Sequence, residues 1–185
     1  TGRKKGFEII FSQDKMHLWN EYFSNHNSSY RAYNYLGALG VNKWLPEKEN
    51  IRLLEVGGGT GGASSALIST LKTNNKLSRI SEYIFSDVSP AFLRLGNRAI
   101  MQNTDSDFNY SLKKIDFEKP LTGQGVKEGN LDLVYGVNTL HVAKDLQGAL
   151  RNIFQVLKPT GSLVICEYCR PDMDCLLLQE FIFNM

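Results

Sequence analysis

Apolar side chains recur with two different periods along this chain, and the change comes near residue 50. Before that point they are spaced three and four positions apart in DKMHLWNEYF (14–23) and again in YRAYNYLGALGVNKWL (30–45). This spacing predicts two amphipathic helices joined by the polar turn SNHNSS, with Pro46 closing the second helix. Residues 1–50 are therefore expected to form an N-terminal helical lid.

From residue 51 onward, short apolar runs of strand length alternate with helical patterns. The runs cover residues 51–56, 83–87, 110–116, 131–136 and 162–167. Helical periodicity fills residues 63–71, 90–101 and 144–157, and the last pattern stops at Pro159 and Gly161. This alternation predicts a doubly wound α/β fold over residues 51–185, with a Rossmann-like parallel sheet and helices on both faces.

The composition is that of one globular domain, and it narrows the possible partners. The 185 residues are 42% hydrophobic, with 21 basic and 19 acidic side chains and a net charge of +2. A nucleic-acid-binding surface usually has a marked basic excess, so we expect no nucleic-acid partner. No apolar stretch reaches the roughly 20 residues that span a bilayer, so no membrane partner is expected. Three cysteines and the lack of a signal peptide favour the cytoplasm.

Polar residues follow most of the apolar runs, and this is where a site is expected. In a doubly wound sheet, ligands bind outside the carboxyl ends of the strands, at the point where the strand order reverses. The candidate positions are 55–62, Asp87, Asp116, 138–141 and Glu167.

The stretch LLEVGGGTGG (53–62) is compatible with two kinds of ligand. Gly57, Gly59 and Gly62 satisfy the G-x-G-x-x-G pattern of dinucleotide-binding turns. Glu55 opposes that interpretation, because a carboxylate repels a pyrophosphate and attracts a cation. Asp87, the next acid that ends a strand, also lies beyond the roughly 20-residue spacing of the dinucleotide pattern. S-adenosylmethionine, which has an ammonium and a sulfonium but no phosphate, suits the features better. The alternative is that Glu55 is a bystander and Asp87 a helix cap.

Three blocks of the sequence together resemble class I S-adenosylmethionine-dependent methyltransferases. They are LLEVGGGTGGASSAL, YIFSDVSPAFL and LDLVYGVNTLHVAKDLQGALRNIFQVLKPTGSLVICE, which lie within residues 51–167. The glycine loop is generic, whereas the SDVSPAFL and N-x-L-H-x-x-x-D-L blocks in this order are more specific. More narrowly, the chain resembles the methyltransferase domains embedded in polyketide synthases. The resemblance implies S-adenosyl-L-methionine as cofactor and S-adenosyl-L-homocysteine as product.

The resemblance also implies a role for each residue of the glycine loop and for the acid after the second strand. Gly57, Gly59 and Gly61 would lie under the methionine and ribose of the cofactor, with Glu55 supporting its amino end. Asp87 would bind both ribose hydroxyls, since a carboxylate accepts several hydrogen bonds at once.

Three further residues are assigned to the cofactor pocket by the same resemblance. Asp116 stands where the family places an acid near the adenine amino group. Phe117 beside it is expected to pack against the adenine ring. Asn138 would line the pocket between the cofactor and the substrate.

His141 and Glu167 are the candidate catalytic pair. His141 lies just past one apolar run and Glu167 ends the next, and adjacent strand ends in a parallel sheet lie close together. A carboxylate bound to one imidazole nitrogen fixes the tautomer and leaves the other nitrogen as a general base. The resembled domains have such a pair; the alternative is that both residues are structural. Cys166-x-x-Cys169 has no second pair to complete a metal site, so no metal is expected.

The resemblance implies an acyl chain on the phosphopantetheine arm of an acyl carrier protein as substrate, with neighbouring synthase domains as partners. The base serves methylation of either a β-hydroxyl oxygen or the α-carbon of a β-ketoacyl chain. The short segment before the glycine loop, which we associate with O-methylating domains, favours oxygen. Two further classes of function stay open, a nicotinamide-binding module and a non-catalytic scaffold. Only five strands are accounted for, so we expect the C-terminal strand hairpin of the family to be missing from this chain.

Overall fold

In the computed structural model the described residues are 16–167. Residues 168–185 of the predicted α/β fold, which include Cys169, lie outside them. The strands are β1 (Ile51–Glu55), β2 (Ile80–Asp87), β3 (Tyr110–Lys114), β4 (Leu131–Val137) and β5 (Leu157–Cys166). The helices are α1 (Met16–Tyr22), α2 (Ser28–Trp44), α3 (Gly62–Thr73), α4 (Pro90–Asn103) and α5 (Leu146–Val156). Short 3₁₀ turns occupy Leu77–Arg79, Leu121–Gln124 and Leu140–Val142.

All five strands are parallel and lie in the order β3-β2-β1-β4-β5. The predicted doubly wound sheet is confirmed. The chain builds outward from β1 to β3 and then crosses back, so that β4 pairs with the free side of β1. The strand order therefore reverses between β1 and β4, and their carboxyl ends form the crevice in which this fold binds ligands.

The three central strands, β1, β2 and β4, are buried on both faces over most of their length, which explains why they are largely apolar. Leu53 faces a core cluster shared with α2 and α3, whereas its neighbour Leu54 faces a second cluster shared with α5. In α5 the buried side chains Ala149, Ile153 and Val156 recur at helical spacing. Two layers of helices thus enclose the central strands.

Helix α2 packs directly on the sheet rather than standing apart from it. Ala38 and Val41 are fully buried in the first core cluster. A Cβ atom at Gly37 would lie 2.8 Å from the side chain of Val137, so the glycine allows a close approach of helix and sheet. The domain boundary at residue 50 stays a prediction, but α2 shares the core that the strands form.

The start of β5 differs from the prediction. Helix α5 ends at Val156, and β5 begins at Leu157 instead of residue 162. The backbone explains the difference: Asn130 N–H donates to the carbonyl of Val156, and Leu157 then pairs with Leu131 of β4. The pairing is irregular between Leu131 and Leu133, opposite the KPTG sequence, and resumes at residue 162. Pro159 and Gly161 therefore interrupt the pairing of β5 with β4 but do not prevent the strand from beginning at Leu157.

Candidate active site

The glycine loop crosses the carboxyl end of β1 in a backbone conformation that suits glycine. Gly57, Gly59 and Gly61 have φ values of +60°, +56° and +83°. A Cβ atom at Gly57 would lie 1.8 Å from Oγ1 of Thr139, so no side chain fits there. At Gly61 a Cβ atom would meet Ala99 of α4 at 2.6 Å. The loop is therefore held close to its neighbours, with backbone exposed for a ligand to approach.

Asp87, the last residue of β2, fixes this loop. One carboxylate oxygen accepts from Gly59 N–H at 3.0 Å, and the other accepts from Ser89 N–H at 2.8 Å. Burial raises the pKa of Asp87, although both backbone hydrogen bonds oppose that shift. Ser89 is the N-cap of α4, so Asp87 forms a turn before the helix and does not cap it. Two accepted hydrogen bonds leave further acceptor capacity on the carboxylate.

Glu55, the last residue of β1, is 1% exposed. Its Oε2 accepts hydrogen bonds from Ser64 Oγ at 2.5 Å and from the hydroxyl of Tyr83. Its Oε1 is buried and has no hydrogen-bond partner among residues 16–167. Burial raises the pKa of Glu55 to about 7, and the nearby carboxyl of Asp87 adds to the rise. An unpaired buried oxygen of this kind is a site for a donor, and for a cation above all.

Asp116 and Phe117 lie just past β3, farther from the glycine loop in the strand order. The Asp116 carboxylate pairs with Lys119 at 2.9 Å, which holds the pKa of Asp116 below its ordinary value. Gln124 brackets Asp116 through hydrogen bonds to its backbone N–H and carbonyl. Phe117 is buried in the second core cluster. The predicted contacts of both residues with an adenine ring stay predictions.

Asn138 begins the loop that follows β4. Its φ of +49° lies in the left-handed region, which asparagine tolerates better than most residues. Its N–H donates to the carbonyl of Cys166 at 2.9 Å and so joins the ends of β4 and β5. The turn directs Thr139 against Gly57, so the β4 loop and the glycine loop are in contact. The structure thus places Asn138 beside the crevice, and its role in lining a pocket stays a prediction.

His141 and Glu167 form a hydrogen-bonded pair at the ends of neighbouring strands. His141 Nδ1 lies 2.6 Å from Oε2 of Glu167. The other oxygen of Glu167 accepts from the backbone N–H groups of Thr139 and Leu140, at 3.0 and 2.7 Å. Burial alone would raise the pKa of Glu167, but these hydrogen bonds outweigh it and the pKa falls below the ordinary value. Glu167 is thus held as a carboxylate, and an Nδ1–H tautomer of the imidazole leaves Nε2 unprotonated.

The first two helices contribute a polar contact to the glycine loop. Asn25, in the turn between α1 and α2, donates from Nδ2 to the carbonyl of Gly62 at 2.9 Å. Asn34 of α2, which is 4% exposed, donates to Oδ1 of Asn25 at 2.8 Å. The turn is therefore anchored on the N-terminus of α3, beside the cradle that the glycines form.

The sequence did not predict several residues that contact the site. Ser64, Tyr83 and Thr139 contact the predicted site residues, but each resembles an ordinary helix, strand or loop residue in the sequence. Asn34 gave a usable signal, because an asparagine between Tyr30 and Ala38 interrupts the apolar face of a helix. Among the described residues no group of three or more His, Cys, Asp or Glu side chains is placed to hold a metal ion. No helix of residues 16–167 is long and apolar enough to cross a membrane.

Comparison with known proteins places this geometry in context. A family model described as a methyltransferase domain matches residues 54–163. The highly reducing polyketide synthase NEC1 of Pyricularia oryzae is 32% identical over 188 residues, which cover 100% of this chain and 6% of that protein. The chain thus spans a small fraction of the length of the curated relatives that it matches.

Solved methyltransferase structures share the fold. The CurJ carbon methyltransferase has a TM-score of 0.77 and 24% identity, over 99% of this chain and 46% of that one. The DszA carbon methyltransferase has a TM-score of 0.71 and 29% identity, over 91% of this chain and 43% of that one. The trans-methyltransferase CalH, solved with S-adenosylhomocysteine, has a TM-score of 0.69 and 24% identity, over 99% of this chain and 47% of that one.

Proposed function

This chain belongs to the methyltransferase-domain family and is an S-adenosylmethionine-dependent methyltransferase; on that premise, we propose that it methylates the α-carbon of a β-ketoacyl chain carried by an acyl carrier protein. The observation that carries the proposed base-assisted methyl transfer is the His141–Glu167 pair, which is placed at the carboxyl ends of β4 and β5 beside the glycine loop.

The residues at the crevice fit the cofactor better than they fit a dinucleotide. The buried Oε1 of Glu55 has no partner among the described residues and would repel a pyrophosphate, but it suits an ammonium. The loop's three glycines with positive φ values present bare backbone, which suits close contact with a ligand. In the proposed arrangement Gly57, Gly59 and Gly61 contact the methionine and ribose, and Glu55 supports the amino end.

The adenosine half of the cofactor is assigned to residues farther along the sheet. Asp87 would accept from the ribose hydroxyls with the capacity that Gly59 and Ser89 leave free. Asp116 and Phe117 would lie toward the adenine, and Asn138 toward the acceptor. Because Asp116 is already paired with Lys119, its contribution to adenine binding would come from shared hydrogen bonding and not from an isolated charge.

When bound, the cofactor supplies a methyl group on a sulfonium, which is already activated, so the protein has to align the acceptor and remove its proton. Nε2 of His141 takes that proton. Glu167 holds the ring through Nδ1 and stabilises the imidazolium as it forms. The backbone N–H groups of Thr139 and Leu140 keep Glu167 charged, so it orients the base without taking the proton itself.

Carbon is favoured over oxygen as the acceptor on two grounds. The DszA protein, the most similar of the three solved structures by sequence, is described as a carbon methyltransferase. A proton between a ketone and a thioester is also far more acidic than an alcohol proton, so it is better matched to an imidazole base. The expectation of oxygen rests on the shortness of the segment before residue 51. This chain aligns with only 43–46% of the solved carbon methyltransferase chains, so the length of that segment is no guide to the size of a lid.

The carrier protein and the neighbouring synthase domains are part of the same proposal. The curated relative NEC1 is a polyketide synthase, and this chain corresponds to 6% of it. In such a protein the acyl chain would reach the crevice on a phosphopantetheine arm. A cytoplasmic location follows as an expectation from the same setting.

The test is intact-mass spectrometry of two matched carrier-bound chains incubated with the protein and S-adenosylmethionine. One chain carries a β-ketone with a free α-carbon, and the other carries a β-hydroxyl. We expect one methyl on the keto chain and none on the hydroxy chain. Methyl transfer to the hydroxy chain alone would make the protein an O-methyltransferase and would overturn the carbon assignment.

A further inference from the structure

Two hydroxyl groups hold Glu55 from one side only. Ser64, in the first turn of α3, and Tyr83, in β2, both donate to Oε2 of the carboxyl group. The register of the sheet explains this contact, because Tyr83 pairs with Leu53, two residues before Glu55 and on the same face. Oε1 is left buried and without a partner among the described residues. The carboxyl is therefore oriented with one oxygen anchored and the other available.

Among residues 16–167, none of the groups that shift the pKa of Glu55 is positively charged. The titratable groups that act on it are the hydroxyl of Tyr83, the carboxyl of Asp87 and, from β4, the hydroxyl of Tyr135. Tyr135 is fully buried, and its hydroxyl also has no hydrogen-bond partner in the described part of the chain. The buried residues of α2, the helix that packs over this layer, are Asn34, Gly37, Ala38 and Val41, none of them charged.

A carboxylate buried without a cation is costly, so Glu55 holds a proton more readily than an exposed glutamate. An ammonium group placed against Oε1 removes that cost. We propose that binding of the cofactor's ammonium group expels a proton from Glu55, and that Tyr83 and Ser64 are positioning residues that set the pH of this exchange. The inference rests on the proposed function. The exchange is balanced: the ammonium keeps its protons, Glu55 becomes the paired carboxylate, and its proton passes to the buffer.

The predicted pH dependence has a definite sign. The cofactor binds the deprotonated form, so its affinity rises with pH. Burial raises the pKa of Glu55 to about 7. If pairing returns the pKa toward its ordinary value, about half a proton leaves per cofactor bound at pH 7. Affinity is then about tenfold higher at pH 8 than at pH 6.

The two hydroxyls lower the pKa of Glu55, because they donate to the charged form. Tyr83→Phe removes one of these hydrogen bonds with little change in shape. The proton release should then peak at a higher pH, and binding at pH 7 should weaken. Ser64→Ala should shift the profile in the same direction. A purely structural role for Tyr83 would lower the melting temperature and leave the profile where it was.

The experiment is isothermal titration calorimetry of the whole chain with S-adenosylhomocysteine, which carries the same ammonium group. Titrations at pH 6, 7 and 8 in buffers of different ionisation enthalpy give the number of protons released. The variants are Glu55→Gln, Tyr83→Phe and, as a matched control at the same crevice, His141→Ala. Wild type and His141→Ala should release about half a proton at pH 7, and Glu55→Gln close to none.

The outcomes separate the inference from the function on which it rests. Binding with no proton release, or release that persists in Glu55→Gln, would overturn the inference and leave the methyltransferase intact. A Tyr83→Phe profile identical to wild type would remove the positioning role. No binding of S-adenosylhomocysteine by the folded wild-type protein at any pH would instead count against the proposed function.

Discussion

Two carboxyl groups are buried at opposite ends of neighbouring central strands, and they differ in every other respect. Glu55 ends β1 on the side of the site, with one oxygen bound to two hydroxyls and the other unpaired among the described residues. Asp132 lies at the opposite end, near the start of β4, and is 2% exposed. Lys158 donates to both of its oxygens at 2.8 and 2.9 Å, and Lys48 and the backbone N–H of Arg52 also contact it.

The pKa values of the two groups move in opposite directions although both are buried. Burial raises the pKa of Glu55 to about 7. Burial also acts to raise the pKa of Asp132, but the hydrogen bonds from Lys158, Lys48 and the backbone N–H of Arg52, with the charge of Lys158, outweigh it, and the pKa falls. The partners of each carboxyl group, and not how deeply it is buried, therefore decide whether it is charged. Asp132, at the amino end of the sheet, is paired within the protein, whereas Glu55, at the carboxyl end, leaves an acceptor for a ligand, so changes at the two ends should affect different properties.

The largest effect is expected at His141. His141→Ala should lower the rate of methyl transfer by about 10²- to 10⁴-fold, the usual contribution of a general base. The affinity for S-adenosylhomocysteine and the urea midpoint should stay close to wild type, because the ring is 41% exposed. His17→Ala, at an exposed histidine of α1, is the matched control and should keep the full rate. A rate unchanged in His141→Ala would refute the assignment of the base.

Asp132→Ala should produce the largest loss of stability. It leaves Lys158 and the backbone N–H of Arg52 without their partner, and breaking a buried ion pair costs about 3 to 5 kcal/mol. Urea unfolding measures the loss. Asp105→Ala, at an acid whose side chain is 85% exposed, should change stability by less than about 1 kcal/mol. Cofactor affinity in folded Asp132→Ala should match wild type; a large change there would mean that the two ends of the sheet are coupled.

Glu55 should give the cofactor-free protein a stability that falls as pH rises. The folded pKa of about 7 lies above the ordinary value of 4.5, so the folded state binds more protons between these pH values. The loss between pH 5 and pH 8 should be on the order of 2 to 3 kcal/mol. Glu55→Gln removes this dependence, so the comparison of wild type with Glu55→Gln isolates it. Parallel pH profiles would show that Glu55 titrates normally.

The smallest effect is expected at Lys48, one of the two lysines on Asp132. Its side chain is 44% exposed, and Lys158 remains in place when it is removed. Lys48→Met should lower the free energy of unfolding by about 1 kcal/mol or less. Lys158→Met should cost more, because that side chain is more buried and contacts both oxygens. If Lys48→Met is the more damaging change, solvent screening is not what separates the two lysines.

The sequence predicted most of the residues at the carboxyl end of the sheet, where the site lies, and few of the contacts at the amino end around Asp132. The alternation of strands and helices predicted the parallel sheet. The positions of His141 and Glu167 after successive apolar runs predicted that they lie close together, and they are hydrogen-bonded. The partners of Glu55 escaped because Tyr83 is 28 residues away and reaches the carboxyl only through the strand register. The lysines on Asp132 were missed for the same reason, since neither Lys48, in the loop before β1, nor Lys158, near the start of β5, carries a sign of its partner in the sequence. Periodicity predicts elements; the contacts between side chains depend on register.

The close packing of α2 on the sheet has a consequence for protein engineering. The change in periodicity near residue 50 makes a tempting junction for a chimeric enzyme. A cut there would remove Ala38 and Val41 from the core and uncover Tyr135 and Val137, whose side chains lie against Gly37. A transplanted piece that begins near residue 50 would then expose an apolar surface that is normally buried, and it would be prone to aggregate. The seam of any such chimera belongs ahead of Asn25, so that α2 and the turn bonded to Gly62 stay with the strands that α2 covers.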